Sequence, residues 1–560
     1  VFAKKLSSSN GSTFFQQPPV LFLAFTFWSL GLTYPLAGHL FTHIPLGAEP
    51  VATVPLFNLW SLQWNIDQLV RGYPHYWDAP IFTPHPGTFA FSETQPLTAL
   101  LAAPLWLGGA SPALGYNVVV WLFLTLNGWF AYGLLRSWGV IWGAALPAAL
   151  LTQSLPFVAQ EMGVLQLVAI FGLLWSLFFL HRLLRACERG QWQWRAVFGL
   201  ALGTPVTFFT CGYYGLISLI FLPLAFVTQL KRRHLTPPLV GQLLVVGLLV
   251  LGLSAPFLLA QQQRLARYGF IRSQQTVENN SARLSDYTNF LDNNLLYSQI
   301  LGLESNRGQR LFPGVGLVLL AIFGLMGPFS KRVKLYLLLA ALLALLLSLG
   351  LRLEVGSVRP FLWLREYLPG FKQLRSPFRF AVAVQLHLAL LAGFGLHTLW
   401  RWLPRPGQPL LGLLVGLSLL EVVALPLPLQ PLPPPQPDVA WQRWLAQREH
   451  PPQLVMLPFA QTNRVADFEQ TVHWMLESRY FQGQMANGYS GFFPPDHATL
   501  RQQMLQFPTP AAIDLLRDIQ IEYVVVHHAL PHAPPPDAMT GQLPLLFFDP
   551  QTRVAIYSLQ

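Results

Sequence analysis

The stretch Gly47–Pro96, GAEPVATVPLFNLWSLQWNIDQLVRGYPHYWDAPIFTPHPGTFAFSETQP, decides how the chain is read. It is aromatic and rich in proline, and it carries the carboxylates Glu49, Asp67, Asp78 and Glu93. A charged side chain at the centre of a bilayer is costly, so this stretch does not cross one. Strongly apolar segments lie on either side of it, at 19–42 and 114–135. A long, polar connection between two apolar segments is the pattern of a polytopic α-helical membrane protein with a large first loop, 43–113.

Composition agrees with that reading. Of 560 residues, 53% are hydrophobic and 11% are charged. A soluble globular chain carries about 25% charged residues. The net charge of +11 comes from short basic clusters between apolar runs, which is the positive-inside pattern. Nucleic-acid recognition needs a basic face built to meet phosphates, and none is visible. Two cysteines, Cys187 in a basic connection and Cys211 in an apolar run, form neither a disulfide framework nor a metal-ligand spacing.

A span needs roughly 20 apolar residues. The candidates are 19–42, 114–135, 140–157, 163–181, 196–212, 213–230, 239–260, 312–329, 333–350, 379–399 and 409–427, about eleven in all. Lys4, Lys5, Arg136, Arg182–Arg195, Lys231–Arg233, Lys331–Lys334 and Arg401–Arg405 then fall on one side. Their placement predicts a cytoplasmic N-terminus and an extracytoplasmic C-terminus. The apolar run after Lys5 lacks a small-x-small cleavage site, so it is expected to remain as the first span. The segment 97–108 is too short to span and is expected to be re-entrant or interfacial.

Residues 1–427 are thus expected to form the transmembrane domain. A proline-rich linker follows at 428–438, and 439–560 is expected to be a small extracytoplasmic α/β domain. Apolar runs at 453–459, 521–527, 544–548 and 553–559 read as strands, with helical stretches at 464–480 and 509–519.

Carboxylates near the outer end of the first span are the natural candidates for a general base. Glu49 comes first, followed by Asp78 and Glu93; Asp67 has Arg71 four residues on and reads as half of a helix-surface pair. Trp77 beside Asp78 offers a ring face for a sugar, and His85 further along is a second contact candidate. Glu161 and Gln166 sit in an outer connection too short for ornamental charge. Lys372, Arg375 and Arg379 gather in the outer connection 351–378 and just beyond it, against the charge rule. Guanidinium groups there suit bidentate contact with a lipid phosphate, as they equally suit anionic head groups. His43, His75 and His85 lack ligand spacing. No cofactor is demanded, and a divalent cation is left open.

Four stretches together carry a family resemblance: NLWSLQWNIDQL (58–69), YWDAPIFTPHPGTFAFSETQPLT (76–98), RSPFRFAVAVQLHLALLAGFGL (375–396) and NGYSGFFPPD (487–496). With them the chain resembles bacterial membrane proteins related to the GT-C glycosyltransferases, including poorly characterised relatives of the lipoteichoic-acid-glycosylating type. The resemblance implies a glycosyltransferase of the bacterial cytoplasmic membrane. Its expected partners are a polyprenyl-phosphate sugar donor, the lipid bilayer and an envelope glycan or lipid acceptor. It implies an acidic base in the first outer loop, which maps to Glu49, and donor-phosphate arginines, which map to Arg375 and Arg379 through RSPFRF. Relatives show an Asp or an acidic pair before the NLW-type segment. Here VATVP (51–55) leaves Glu49 as the only acid there, so a non-catalytic envelope scaffold with a degenerate GT-C fold stays open. A lipid or glycan transporter is the other alternative. It predicts ionisable residues inside spans and internal repeats, whereas Glu421 is the one acid in the spans and no repeat is evident.

Overall fold

The computed structural model describes residues 17–433 and 439–560. Lys4, Lys5 and the 434–438 part of the expected linker lie outside them. The chain divides into two compact units. One takes residues within Val1–Leu40, Asn117–Gly252 and Arg272–Pro428; the other takes Phe41–Tyr116, Leu253–Ile271 and Leu429–Gln560. The C-terminal tail therefore shares its unit with the first connection, which the sequence reading had grouped with the spans.

Each of the eleven apolar segments contains a helix. Among the described residues six helical stretches are long and apolar enough to cross a membrane: Pro112–Ser137, Trp142–Gly163, Leu165–Cys187, Gly212–Gln229, Pro237–Tyr268 and Pro377–Trp402. Pro18–Leu32, Val315–Met326 and Gln408–Val422 are apolar but shorter, as is Pro96–Leu107 in the 97–108 segment. The Pro377–Trp402 stretch is the axis of the first unit, with 94% of its apolar window buried. Pro237–Tyr268 is the opposite case at 11%, the state expected of a helix solvated by lipid.

Apolar helices gain little from hydrophobic contact inside a bilayer, so close packing and polar contacts hold them. The Val315–Met326 helix crosses Ala381–Trp402 where Gly324 meets Leu391 and Gly395 meets Leu320. A Cβ on either glycine would strike the facing backbone carbonyl. Elsewhere the amide of Gln153 donates to Ser29 Oγ at 2.7 Å and to the Phe25 carbonyl at 2.8 Å. Trp28 Nε1 donates to Ser154 Oγ at 2.9 Å.

In the second unit, β1 (His43–Pro45) pairs antiparallel with β2 (Leu429–Pro431). The described part of the expected linker is thus partly strand. A five-stranded mixed sheet follows, built from β3 (Gln453–Leu457), β4 (Gln484–Met485), β5 (Tyr523–His527), β6 (Leu545–Asp549) and β7 (Val554–Ser558) in the order β4-β3-β5-β7-β6. Pairs β3–β4 and β3–β5 are parallel, and β5–β7 and β6–β7 antiparallel. Val524, Val525 and Val526 are all buried, as the unbroken apolar run of an interior strand requires.

The opening stretch folds as the Thr53–Arg71 helix followed by irregular chain. The helix buries its amides rather than exposing them. Asn65 donates to the Thr94 carbonyl at 2.6 Å and accepts from the Tyr76 hydroxyl at 2.8 Å. Asn58 accepts from Gln95 at 2.7 Å, and Gln63 donates to the Leu476 carbonyl at 3.3 Å. These bonds fold the connection back on its own helix. Ile81–Thr83 lies beside the sheet edge, with Phe82 and Thr83 donating to the Asn487 and Met485 carbonyls.

Candidate active site

In the first unit, the segment after Gln153 abandons regular helix. A short helix at Pro156–Gln160 is followed by single turns at Glu161–Gly163 and Leu165–Val168. Irregular backbone between apolar helices is tolerated where protein supplies its hydrogen bonds. Gln385 does so here: its Oε1 accepts from Phe157 N–H at 2.9 Å, and its Nε2 donates to the Leu311 carbonyl at 3.0 Å. One buried amide on the axial helix thereby pins two irregular segments.

The axial helix is entered through RSPFRF. Ser376 precedes a proline and lies outside the helical region at φ −123°, ψ 84°, and Pro377–Phe380 then makes a 3₁₀ turn. Arg379 on that turn reaches Glu161, with Nη2 3.5 Å from Oε2 and side chains only 12% and 8% exposed. The guanidinium carbon lies 4.7 Å from the centroid of the Tyr213 ring. The hydroxyl oxygen of Tyr213 accepts from the backbone N–H of Arg375 at 3.1 Å and of Ser376 at 2.9 Å. One tyrosine thus stacks on the second arginine and fixes the backbone of the first.

Glu161 is held from its other side. Gln160 Nε2 donates to Glu161 Oε1 at 2.9 Å, and Gln160 Oε1 accepts from Arg310 N–H at 2.8 Å. Arg310 in turn grips both oxygens of Asp292, at 2.9 and 3.2 Å. Gln166 Oε1, in the same irregular segment, is buried with no hydrogen-bond partner among the described residues. Arg375 has no carboxylate within 4 Å among the described residues, so its charge is available to an anion.

The sequence-predicted residues fall in both units. Glu161 and Arg379 are brought together. Lys372 is not part of that pair: it meets the exposed Glu366 at 3.1 Å. Tyr213, Gln160 and Arg310 were missed as site residues, although the CGYY segment that holds Tyr213 does stand out as an outer connection.

Glu49, Trp77, Asp78, His85 and Glu93 belong to the second unit. Asp78 is exposed, but its Oδ1 accepts from Gly87 N–H at 2.8 Å and closes a loop at a glycine with φ +74°. Trp77 packs edge-on against Tyr76 and tilted against Phe257, with centroids 4.9 and 5.1 Å away. His85 Nε2 lies 2.8 Å from Asp496 Oδ1. Glu49 and Glu93 are half-buried. Asp67 and Arg71 share a helix but form no ion pair within 4 Å among the described residues. Burial raises the Asp67 carboxyl, with Arg479 and Arg71 opposing from a distance. Asn487 of NGYSG is spent on β3, accepting from Met456 N–H at 2.7 Å and donating to its carbonyl at 3.0 Å. Among the described residues no group of three or more His, Cys, Asp or Glu side chains could hold a metal ion.

No protein-family model and no curated protein sequence matches the chain. Its fold is shared with solved membrane glycosyltransferases. It is similar to the arabinofuranosyltransferase AftD from Mycobacteria at 14% identity and TM-score 0.60, over 97% of this chain and 39% of AftD. The chain thus spans about two fifths of that protein. It is also similar to the archaeal oligosaccharyltransferase AglB from Archaeoglobus fulgidus, at 13% identity and TM-score 0.51, over 98% of this chain and 75% of AglB. The AglB structure holds an inhibitory peptide and a dolichol-phosphate. The chain thus has the fold of these transferases, with helices long and apolar enough to cross a membrane.

Proposed function

We propose that the chain is a glycosyltransferase that moves a sugar from a polyprenyl-phosphate donor to an envelope glycan or lipid acceptor. In this reading it lies in the bacterial cytoplasmic membrane with about eleven spans, its N-terminus cytoplasmic and the 439–560 region extracytoplasmic. The observation that carries the reading is the buried Glu161–Arg379 pair stacked on Tyr213, with Arg375 held beside it and lacking a counter-carboxylate. Glu161 takes up the charge of Arg379, so Arg375 is assigned the donor phosphate. Arg379 orients the turn and lends a second set of donors. That the AglB structure holds a dolichol-phosphate supports a lipid phosphate as the ligand class.

The leaving group is already a phosphate, so the protein must supply position and a base rather than a strong acid. Glu49 is assigned the base, as the first acid after the first apolar span. Asp78, one oxygen of which accepts from Gly87 N–H, and Glu93 are the reserves. The sugar leaves phosphate as the acceptor oxygen attacks the anomeric carbon from the opposite side, which inverts configuration; the acceptor proton goes to the carboxylate. Trp77, His85, Gln166 and Lys372 remain candidate contacts to sugar or lipid.

The test is transfer of radiolabelled sugar from a panel of polyprenyl-phosphate sugars in membranes. Wild type would be compared with Glu49→Gln and Arg375→Ala at matched protein levels. Loss in both variants is expected. Transfer that survives Glu49→Gln moves the base to Asp78 or Glu93, and transfer that survives Arg375→Ala refutes the phosphate assignment. No transfer by wild type from any donor would favour the scaffold reading, which the single acid before NLW keeps open.

A further inference from the structure

A polar cavity lies within the first unit, walled by residues the catalytic reading does not use. It has a volume of about 400 Å³, within the usual range for a small-ligand site. Four connections contribute: Arg136–Gly139, the end of the Phe171–Cys187 helix with Glu188, Gln229–His234, and Phe329–Val333. Five cationic side chains line it, Arg136, Arg185, Lys231, Arg233 and Arg332, against a single carboxylate, Glu188.

Glu188 is engaged through one oxygen. Its Oε1 receives Lys231 Nζ at 2.7 Å, Arg233 Nη2 at 2.9 Å and His234 Nε2 at 2.8 Å. Burial alone would raise its carboxyl, but Lys231, His234 and Arg233 together hold it at about 2. The remaining cations have no carboxylate among the described residues. Arg136 donates to the Val140 carbonyl at 2.6 Å, Arg185 to that of Ser137 at 3.3 Å, and Arg332 to that of Leu230. Carbonyl oxygens orient a guanidinium without neutralising it. Trp138 Nε1, also on the wall, is buried with no acceptor among the described residues. The positive-inside rule asks only for cations in loops; it does not ask for them to surround a cavity with an orphaned donor.

We propose that this cavity binds a phosphate-bearing anion, with the phosphate held by Arg136, Arg185 and Arg332 and an oxygen accepting from Trp138. The chemistry fits the head group of an anionic lipid and equally a free phosphate. It does not depend on the glycosyltransferase reading.

Full-length protein in detergent would be tested by native mass spectrometry for retention of short-chain phosphatidic acid against phosphatidylcholine. Wild type should retain phosphatidic acid preferentially. Arg136→Gln and Arg332→Gln should each weaken retention roughly tenfold, the loss of one charged hydrogen-bonding partner. Arg189→Gln, exposed and outside the cavity, should not. If an arginine variant fails to fold, Trp138→Phe keeps the wall and removes only the donor, and a loss of about threefold is expected. Displacement by excess inorganic phosphate would assign the site to free phosphate, and its failure to displace would assign it to the lipid. Equal retention of the two lipids, or retention unchanged in folded variants, overturns the proposal.

Discussion

Arg379 and Glu161 stand 218 positions apart in sequence and 3.5 Å apart in space, both close to nine-tenths buried. A buried ion pair is costly to break from one side, because the partner keeps its charge and loses its compensation. Glu161→Gln and Arg379→Gln should therefore each destabilise the protein by about 3 kcal/mol. Arg375→Ala, with no carboxylate partner to strand, should cost under about 0.5 kcal/mol. Thermal denaturation in detergent separates the three. A large loss with Arg375→Ala would mean that this arginine is structural, and would remove it as the phosphate ligand.

Tyr213 offers a finer test of the same cluster. Tyr213→Phe keeps the ring under Arg379 and removes the hydroxyl that accepts from Arg375 and Ser376 N–H. Two backbone donors lose their acceptor, at about 1–3 kcal/mol for a buried group left unsatisfied. If Arg375 binds the donor, KM for the donor should rise severalfold while kcat changes little. Steady-state transfer assays at varied donor concentration check this. A fall in kcat at unchanged KM would place Tyr213 in the chemistry instead.

The apolar segments were legible because a helix in lipid must be apolar along its whole length, and that signal is local. RSPFRF was legible because its arginines fall in a connection expected to lie opposite the basic clusters, which breaks the pattern. The pairing of Arg379 with Glu161 was not, since nothing local in RSPFRF or VAQEMG states that they meet. Tyr213 was hidden for a related reason: its hydroxyl serves backbone groups, which carry no sequence signature. β4, of two residues, is too short to show any alternation, whereas the Val524–Val526 run announced β5. The amide-lined face of Thr53–Arg71 reads as polar loop until Asn58, Gln63 and Asn65 are seen to face inward.

Glu477, on the Glu469–Phe481 helix, links stability to pH. Burial pushes its carboxyl up from 4.5 to about 7, against a hydrogen bond from Gln442 at 3.3 Å. Below pH 4.5 the group is protonated both folded and unfolded. Between 4.5 and about 7 the folded state holds the proton that the unfolded state releases, so stability from this group falls as pH rises. The loss is complete above about 7. Melting temperatures of wild type and Glu477→Gln should therefore converge at low pH. They should diverge with rising pH, the variant becoming the more stable. Parallel curves across that window would show that the carboxyl is not held protonated.

The crossing of Val315–Met326 with Ala381–Trp402 rests on glycine at Gly324 and Gly395. A methyl at Gly395 would meet the Leu320 carbonyl, which is backbone and cannot swing aside. Gly395→Ala should therefore force the helices apart and cost about 1–3 kcal/mol, the usual penalty of overpacking. Gly412 in Gln408–Val422 is a matched control, since a Cβ there meets nothing within 4 Å. Gly412→Ala should be neutral or should stabilise by about 0.5–1 kcal/mol through helix propensity. The comparison is read as thermal midpoint and as yield of monodisperse protein from membranes. Equal behaviour of the two variants would mean that the crossing tolerates a wider spacing, and that packing at Gly395 does not hold the axial helix in place.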